Sequence, residues 1–402
     1  MLKLNRTIFY CIFFLLIISF QMQAQPLPLA KPEAVGMSST HLNLARAIIN
    51  AAIERKDFPG AAILVARKGK IVLREAFGKS QWVPEERPID VNMIFDLASV
   101  TKPVATATSI MILAEQGRIR LWDKVKEFIP EFEPFVEKNG KVGKDARIWH
   151  LMTHTSGLPP YTNDKKLEEM YGNPCPKDSI IRHIAKLKKL NPPGQTFDYS
   201  CLGFITLAHI LDRITGQTIA EFSQKHIFKP LKMEHTFYNP PDKFRKYCVA
   251  TEVINGKAFI GIVQDELARL QGGISGNAGL FSTVDDLAIF AQMMLNKGEF
   301  NGKRILSPLT VERMTEIYPE VPFAGRGLGW DLNSSYSTNG GDLFGPQSFG
   351  HSGYTGTSIW IDPETETFVI FLTNRVHPDR SGVIVSMRSR VANIVASSVI
   401  KK

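Results

Sequence analysis

Ser99-Val100-Thr101-Lys102 places a hydroxyl and an amine three residues apart. On a helix that spacing puts both on one face, within reach of each other. A lone serine is a poor nucleophile and needs a base beside it. Lysine serves as that base only if its pKa falls, because at the reference value of about 10.4 roughly one lysine in a few thousand is neutral at pH 7. Burial or a neighbouring cation would supply the shift. Val104 to Ala114 is apolar nearly all round, interrupted only by Thr106, Thr108 and Ser109, and is predicted to be a buried central helix. A serine at the entry to such a helix sits near the positive end of its dipole with a free backbone N–H, a placement that suits an oxyanion. Pro103 biases Lys102 away from helical angles, so the turn must be tight. Alone the pattern is weak. Ser398-Val399-Ile400-Lys401 fits it by accident, and Ser99 read by itself is an ordinary helix cap.

Two more segments carry chemistry. In Thr196-Phe197-Asp198-Tyr199-Ser200-Cys201, Tyr199 stands just before a helical run. It can carry a proton between a serine and a leaving group if cations lie near, since its reference pKa is about 10. In Gly350-His351-Ser352-Gly353-Tyr354-Thr355-Gly356, three glycines precede or interrupt a strand. They imply close approach of another backbone or a ligand. His150 and His154 have the spacing of a zinc pair, but Leu151 stands where the glutamate of H-E-x-x-H belongs, which favours packing. No G-x-S-x-G elbow, Walker motif or dinucleotide Gly-rich motif occurs, and no cofactor or metal is indicated.

The elements that must position these groups read as α/β, then helical, then α/β. His41 to Arg55 has helical apolar spacing behind the capping candidates Ser38 and Ser39. Ala61 to Ala66 and Ile71 to Phe77 read as a hairpin through Arg67-Lys68-Gly69-Lys70. Lys102 to about Leu270 is mostly helical, for example Ser179 to Leu190, Leu202 to Thr215 and Ile219 to Phe228. Ser282 opens a helix with N-cap-to-acid spacing that runs to Leu295. Strands are predicted at Gly327 to Leu332, Thr357 to Ile361 and Phe368 to Thr373, and a last helix starts near Gly382. The pattern gives one sheet built from both termini with an all-helical insertion, and a cleft between them.

The 402 residues hold 48 basic and 39 acidic side chains and are 44% hydrophobic, which excludes wholesale disorder. Lys3 and Arg6 lead into an apolar run, Ile8 to Phe20, closed by Gln21-Met22-Gln23-Ala24. This is the layout of a secretory signal peptide, with cleavage expected after Ala24 and no membrane span left behind. Removing residues 1–24 leaves 46 basic against 39 acidic residues, or +7, too diffuse to predict nucleic-acid binding. Lys186-Leu187-Lys188-Lys189 reads as a solvated helix face. Cys175, Cys201 and Cys248 lack zinc-site spacing, and one bridge among them is possible in an oxidising compartment.

Taken together, the three motifs resemble the serine β-lactamase and penicillin-binding-protein superfamily. The nearest branch holds class C β-lactamases, D-alanyl-D-alanine carboxypeptidases and β-lactamase-fold esterases. Asp96 to Pro103 resembles the first motif, and His150 to Leu158 the "LLTHTSGL" segment. Gly276 to Thr283 is similar to the "AGGLxST" loop, and Gly350 to Asp362 to the third motif with its strand. The resemblance covers nearly all of residues 25–402. It implies an antiparallel sheet flanked by helices (about 30–100 and 275–402) with an inserted helical subdomain (about 103–270).

It also implies roles. Ser99 is the expected acylated nucleophile, and Lys102 and Tyr199 the shared base and acid. His351 takes the place of the lysine in K-T-G. The Ser99 and Tyr354 N–H groups are the expected oxyanion hole, and Cys201, Gly353 and Asn277 are expected against the substrate. The second motif, usually Tyr-x-Asn, ends here in Cys201, which argues against strong β-lactamase activity. His351 removes a permanent cation, so activity is expected to follow the charge of a group with a reference pKa near 6.5. The expected protein is a secreted, periplasmic serine hydrolase acting on a small ester or amide, either a short ester or a D-alanyl cell-wall peptide. The alternatives are a penicillin-binding or peptidoglycan-sensing module without turnover, and a true class C β-lactamase.

Overall fold

The computed structural model describes residues 27–401. The signal-peptide expectation falls on residues 1–24 and lies outside the described residues.

Helix α1 (Ser39–Glu54) starts where Ser38 Oγ accepts the His41 N–H at 3.2 Å. Strands β1 (Gly60–Arg67) and β2 (Lys70–Gln81) form the expected hairpin, and a short β3 (Arg87–Pro88) follows. The chain then leaves for the helical region and returns as β4 (Phe349–Ser352), β5 (Ser358–Asp362) and β6 (Thr367–Thr373). The six strands are antiparallel in the order β4-β5-β6-β1-β2-β3. The seam between the two ends of the chain is β1 against β6, with Ala61 opposite Thr373 and Arg67 opposite Thr367.

All eight residues of β1 are buried, because both faces of the sheet are covered. Ala61, Ile63 and Val65 pack with α1 and with the last helix, α6 (Val385–Ser397), through Leu42, Ile49, Met387 and Val391. Ala62, Leu64 and Ala66 face the larger core, which includes Leu287 and Phe290 of helix α5 (Val284–Leu295). This period-two division of apolar residues gives β1 its central place. Thr283 caps α5 by accepting the Asp286 N–H at 3.2 Å.

Between the strand groups lie α2 (Thr108–Glu115), α3 (Ile148–Met152) and α4 (Cys201–Thr215). A π-helical turn, Lys102–Ala107, runs straight into α2. It resolves the tension at Pro103. A proline at the start of a helix loses no hydrogen bond, and the wide turn sends the Thr108 hydroxyl back to the Pro103 carbonyl at 2.8 Å.

Three expectations need correction. The insertion is not purely helical, since Ala250–Ile254 and Lys257–Ile260 form a hairpin. Gly327 to Leu332 makes isolated bridges only, Arg326 to Asp331 and Asp331 to Gly350, and no strand. Gly329 has a φ of +86° and lies so close to Ala107 that a side chain there would collide with it. Lys189 is not solvated. It is buried, donates to the Ala185 and Leu187 carbonyls and sits 4.3 Å from the centre of the Phe132 ring.

Candidate active site

The turn that carries Ser99 is strained and held from both sides. Ala98 has a φ of +45°, unfavourable for a residue with a side chain. The buried Asp96 carboxylate holds it there, accepting the Ala98 N–H at 2.9 Å and the Gln264 N–H at 2.7 Å. Ser99 then falls in a 3-10 turn, Ala98–Val100, that leads into the π-helical turn. The three-residue step puts the Lys102 Nζ 2.9 Å from the Ser99 Oγ. Nζ also donates to the Asn277 carbonyl at 3.0 Å and lies 3.5 Å from the Cys201 Sγ.

The expected fall in the Lys102 pKa is not what these neighbours produce. Burial, the largest influence, does favour the neutral amine. Cys201, Tyr199 with its hydrogen bond, and the Asp265 carboxylate act against it, and the balance lies above the usual lysine value.

Tyr199 comes from the insertion, two residues before α4, and is held by stacking. The His154 ring lies 4.3 Å from it and the Tyr336 ring 5.1 Å. The Lys102 Nζ is 5.1 Å from the Tyr199 ring centre, and the Arg326 guanidinium is 5.4 Å away. His154 does not continue a helix with His150. Helix α3 ends at Met152 and His154 takes a φ of +58°. Its Nδ1 accepts the Ser200 N–H at 3.0 Å and its carbonyl accepts the Asp198 N–H at 2.9 Å, which fixes both neighbours of Tyr199. His150 instead accepts the Arg147 N–H and stacks on Trp149.

The third motif closes the site from the edge strand β4. A side chain at Gly353 would overlap the Leu97 carbonyl, so only glycine lets this turn approach the Ser99 turn. The Thr355 hydroxyl donates to the Asp96 carbonyl at 2.7 Å, and the Thr357 hydroxyl to the Leu97 carbonyl at 2.9 Å. Arg375 crosses the Tyr354 ring at 4.2 Å and donates to the Tyr354 carbonyl. His351 is 3% exposed. Its Nδ1–H donates to the Ser352 carbonyl at 2.9 Å, which leaves Nε2 as a bare acceptor. Burial first, then Arg326, Lys102 and Arg388, hold its pKa well below the usual value. The expectation that His351 titrates at physiological pH is thereby corrected: the ring stays neutral.

Ser99, Tyr199, His351, Gly353 and Tyr354 line one cleft of about 550 Å³. Lys102 stands immediately behind Ser99. Asn277 is wholly buried, and its carbonyl faces Lys102, so its place is behind the lysine and not on the cleft wall. Cys201 also contacts Lys102 but, unlike Asn277, is only half-buried. Cys175, Cys201 and Cys248 are free thiols. Among the described residues no group of three His, Cys, Asp or Glu side chains could hold a metal ion.

Sequence reasoning missed Arg326 and Arg388. Arg388 is buried in α6 and donates to the Gly353 carbonyl at 2.5 Å and the Asn339 Oδ1 at 3.2 Å. It sits among serines and Arg390, so nothing in the sequence marks it as buried. Arg326 had a weak signal, an arginine between two glycines in an apolar stretch.

A serine bonded by a lysine one turn on, with a tyrosine from a helical insertion and a glycine-bearing edge strand closing the cleft, defines a serine hydrolase of mixed α/β fold. The chain belongs to the Beta-lactamase family, whose family model matches residues 45–393. It is 32% identical over 353 residues to the N-acetylmuramyl-L-alanine amidase of Bacillus subtilis (strain 168), covering 80% of this chain and 78% of that one. It is 31% identical over 387 residues to a protein of Salmonella agona (strain SL483) provisionally named D-alanyl-D-alanine carboxypeptidase, covering 89% and 88%. Among solved structures, the octameric penicillin-binding protein homologue from Pyrococcus abyssi superimposes with a TM-score of 0.66 at 26% identity, covering 88% of this chain and 76% of that one. The protein is a serine hydrolase of amide or ester bonds.

Proposed function

We propose that the protein cleaves an amide bond in peptides or muramyl peptides derived from the cell wall, through an acyl-enzyme on Ser99. The observation that carries this reading is the 2.9 Å contact between the Lys102 Nζ and the Ser99 Oγ at the floor of the cleft. The names of the two sequence relatives, both for cell-wall amides, favour that substrate class over a simple ester. Cys201 at the end of the second motif disfavours efficient β-lactam turnover. We place the protein outside the cytoplasm on the basic lead and apolar run of its N-terminal segment. Among the described residues, no helix is long and apolar enough to cross a membrane.

Lys102, held as an ammonium, orients the Ser99 hydroxyl. With Lys102 as the ammonium, Tyr199 reacts as the phenolate, its own proton lost to solvent, and its oxygen takes the Ser99 proton while Oγ bonds to the substrate carbonyl carbon. The Ser99 and Tyr354 N–H groups receive the oxyanion. Tyr199 then returns the proton to the leaving nitrogen as the C–N bond breaks, and water releases the acyl group in a second step. His154 and Tyr336 hold the phenol between them.

Wild type and Ser99→Ala should be compared on D-alanyl peptides, a muramyl peptide, p-nitrophenyl acetate and nitrocefin. Amide cleavage by wild type alone supports the reading. Ester turnover with no amide cleavage overturns the substrate class, and no Ser99 adduct with any probe overturns the mechanism.

A further inference from the structure

The residue that closes the cleft beside Tyr199, His351, carries no charge, and its Nε2 has no hydrogen-bond partner. A permanent charge nonetheless faces the Tyr199 ring from the side of the loop that precedes β4. The Arg326 guanidinium lies 5.4 Å from the Tyr199 ring centre and equally far from that of Phe197. Arg326 is 1% exposed and lines the cleft.

Its hydrogen bonding sets it apart from an arginine buried for structure. Arg67 spends its N–H groups on the Val35, Gly36, Thr365 and Lys401 carbonyls. Arg326 leaves Nε and Nη1 without a hydrogen-bond partner, and its salt-bridge partner, Asp331, stands 3.9 Å from Nε, beyond hydrogen-bond length. A buried charged donor left unpaired is destabilising, so its place is not explained by stability. Proton relay through Tyr199 needs the phenolate, which is negatively charged before it takes the Ser99 proton and again after it gives that proton to the leaving group. Lys102 meets that charge from one side, and the neutral His351 cannot.

We propose that Arg326 is a positioning residue for the reaction, supplying the permanent positive charge that stabilises anionic Tyr199 as it relays the Ser99 proton. The inference rests on the reading of Tyr199 as proton relay given above.

The test compares wild type, Arg326→Gln, Arg326→Lys and the double variant Arg326→Gln/His351→Lys. Two readouts are kcat/KM on p-nitrophenyl acetate and the rate of Ser99 acylation by a β-lactam, followed by mass spectrometry. Arg326→Gln is expected to slow both by about tenfold to a hundredfold, at or below the lower end of the range for groups that themselves transfer the proton. Arg326→Lys should lose less. The second-site lysine, on β4, should recover most of the loss, which it could not do for an arginine that only packs. Arg326→Gln within about twofold of wild type, or a double variant no faster than the single one, overturns the proposal. If Arg326→Gln does not fold, Arg326→Lys carries the test: a loss of about a hundredfold with the charge retained also overturns it. No acylation of the wild type would instead strike the Ser99 reading itself.

Discussion

The Thr357 hydroxyl donates to the Leu97 carbonyl at 2.9 Å across 260 positions of sequence, two residues before Ser99. With the Thr355 bond to the Asp96 carbonyl, it clamps the turn that carries Tyr354 onto the turn that carries Ser99. The two N–H groups proposed as the oxyanion hole therefore belong to one clamped unit. Thr357→Val keeps the shape and removes the donor. It should cost about 0.5–1.5 kcal/mol of stability, the usual net worth of one hydrogen bond, since the Leu97 carbonyl keeps the Val100 N–H. It should also lower kcat more than it raises KM. Urea unfolding and steady-state kinetics check both, and an unchanged kcat would show that the clamp does not position the oxyanion donors.

Tyr199→Phe keeps both stacking partners and removes the phenol oxygen. Its expected effect is a loss of about 10²–10⁴ in kcat/KM with the melting temperature nearly unchanged. A large drop in melting temperature with little kinetic loss would make Tyr199 a packing residue.

Cys201 holds its sulfur 3.5 Å from the Lys102 Nζ, where the usual second motif presents an amide. Burial raises the pKa of this thiol, so at neutral pH it is not a thiolate. Cys201→Asn should raise nitrocefin turnover by at least about tenfold, since a hydrogen-bonding amide discriminates more strongly than a thiol. Nitrocefin kinetics on the two proteins decide it, and no gain would assign the weak activity to the cleft's outer loops.

Asp96 gives a pH dependence of stability. Burial, opposed by its two backbone N–H bonds, pushes its pKa up to about 6, against about 3.9 for an unfolded carboxyl. Because the folded value is the higher, its contribution is complete below about pH 4 and is lost as pH rises through about 6, by no more than about 3 kcal/mol. Asp96→Asn should be less stable overall, because it loses one N–H acceptor, but it should lack this decline. Denaturant unfolding at about pH 4 and about pH 7 measures it. Equal slopes for the two proteins would refute the assignment.

Local pattern carries much of this molecule. The apolar alternation of β1, the Thr283 cap and the three-residue step from Ser99 to Lys102 are all properties of short stretches, and each is legible in the residues themselves. What is not legible depends on neighbours brought from afar. The His351 pKa is held well below its usual value by burial first and then by Arg326, Lys102 and Arg388, brought from three separate segments. Lys102 is pushed down by its burial but up by Cys201, Tyr199 and Asp265, all distant in sequence, and the balance is upward. Gly327 to Leu332 reads as a strand by its apolar residues, but the positive φ of Gly329 and its contact with Ala107 turn the chain instead.

The seam between β1 and β6 has a consequence for how the chain comes to be folded. Ala61 waits for Thr373, and Arg67 for Thr367. While a ribosome is still making the helical insertion, β1 has only the β2 side of its hairpin and lies open along the other edge. The middle of the sheet forms after nearly all the chain has been synthesised, a late closure of the kind that slows folding when pairing partners are distant in sequence. Until then the nascent protein exposes an apolar strand edge able to pair with another copy.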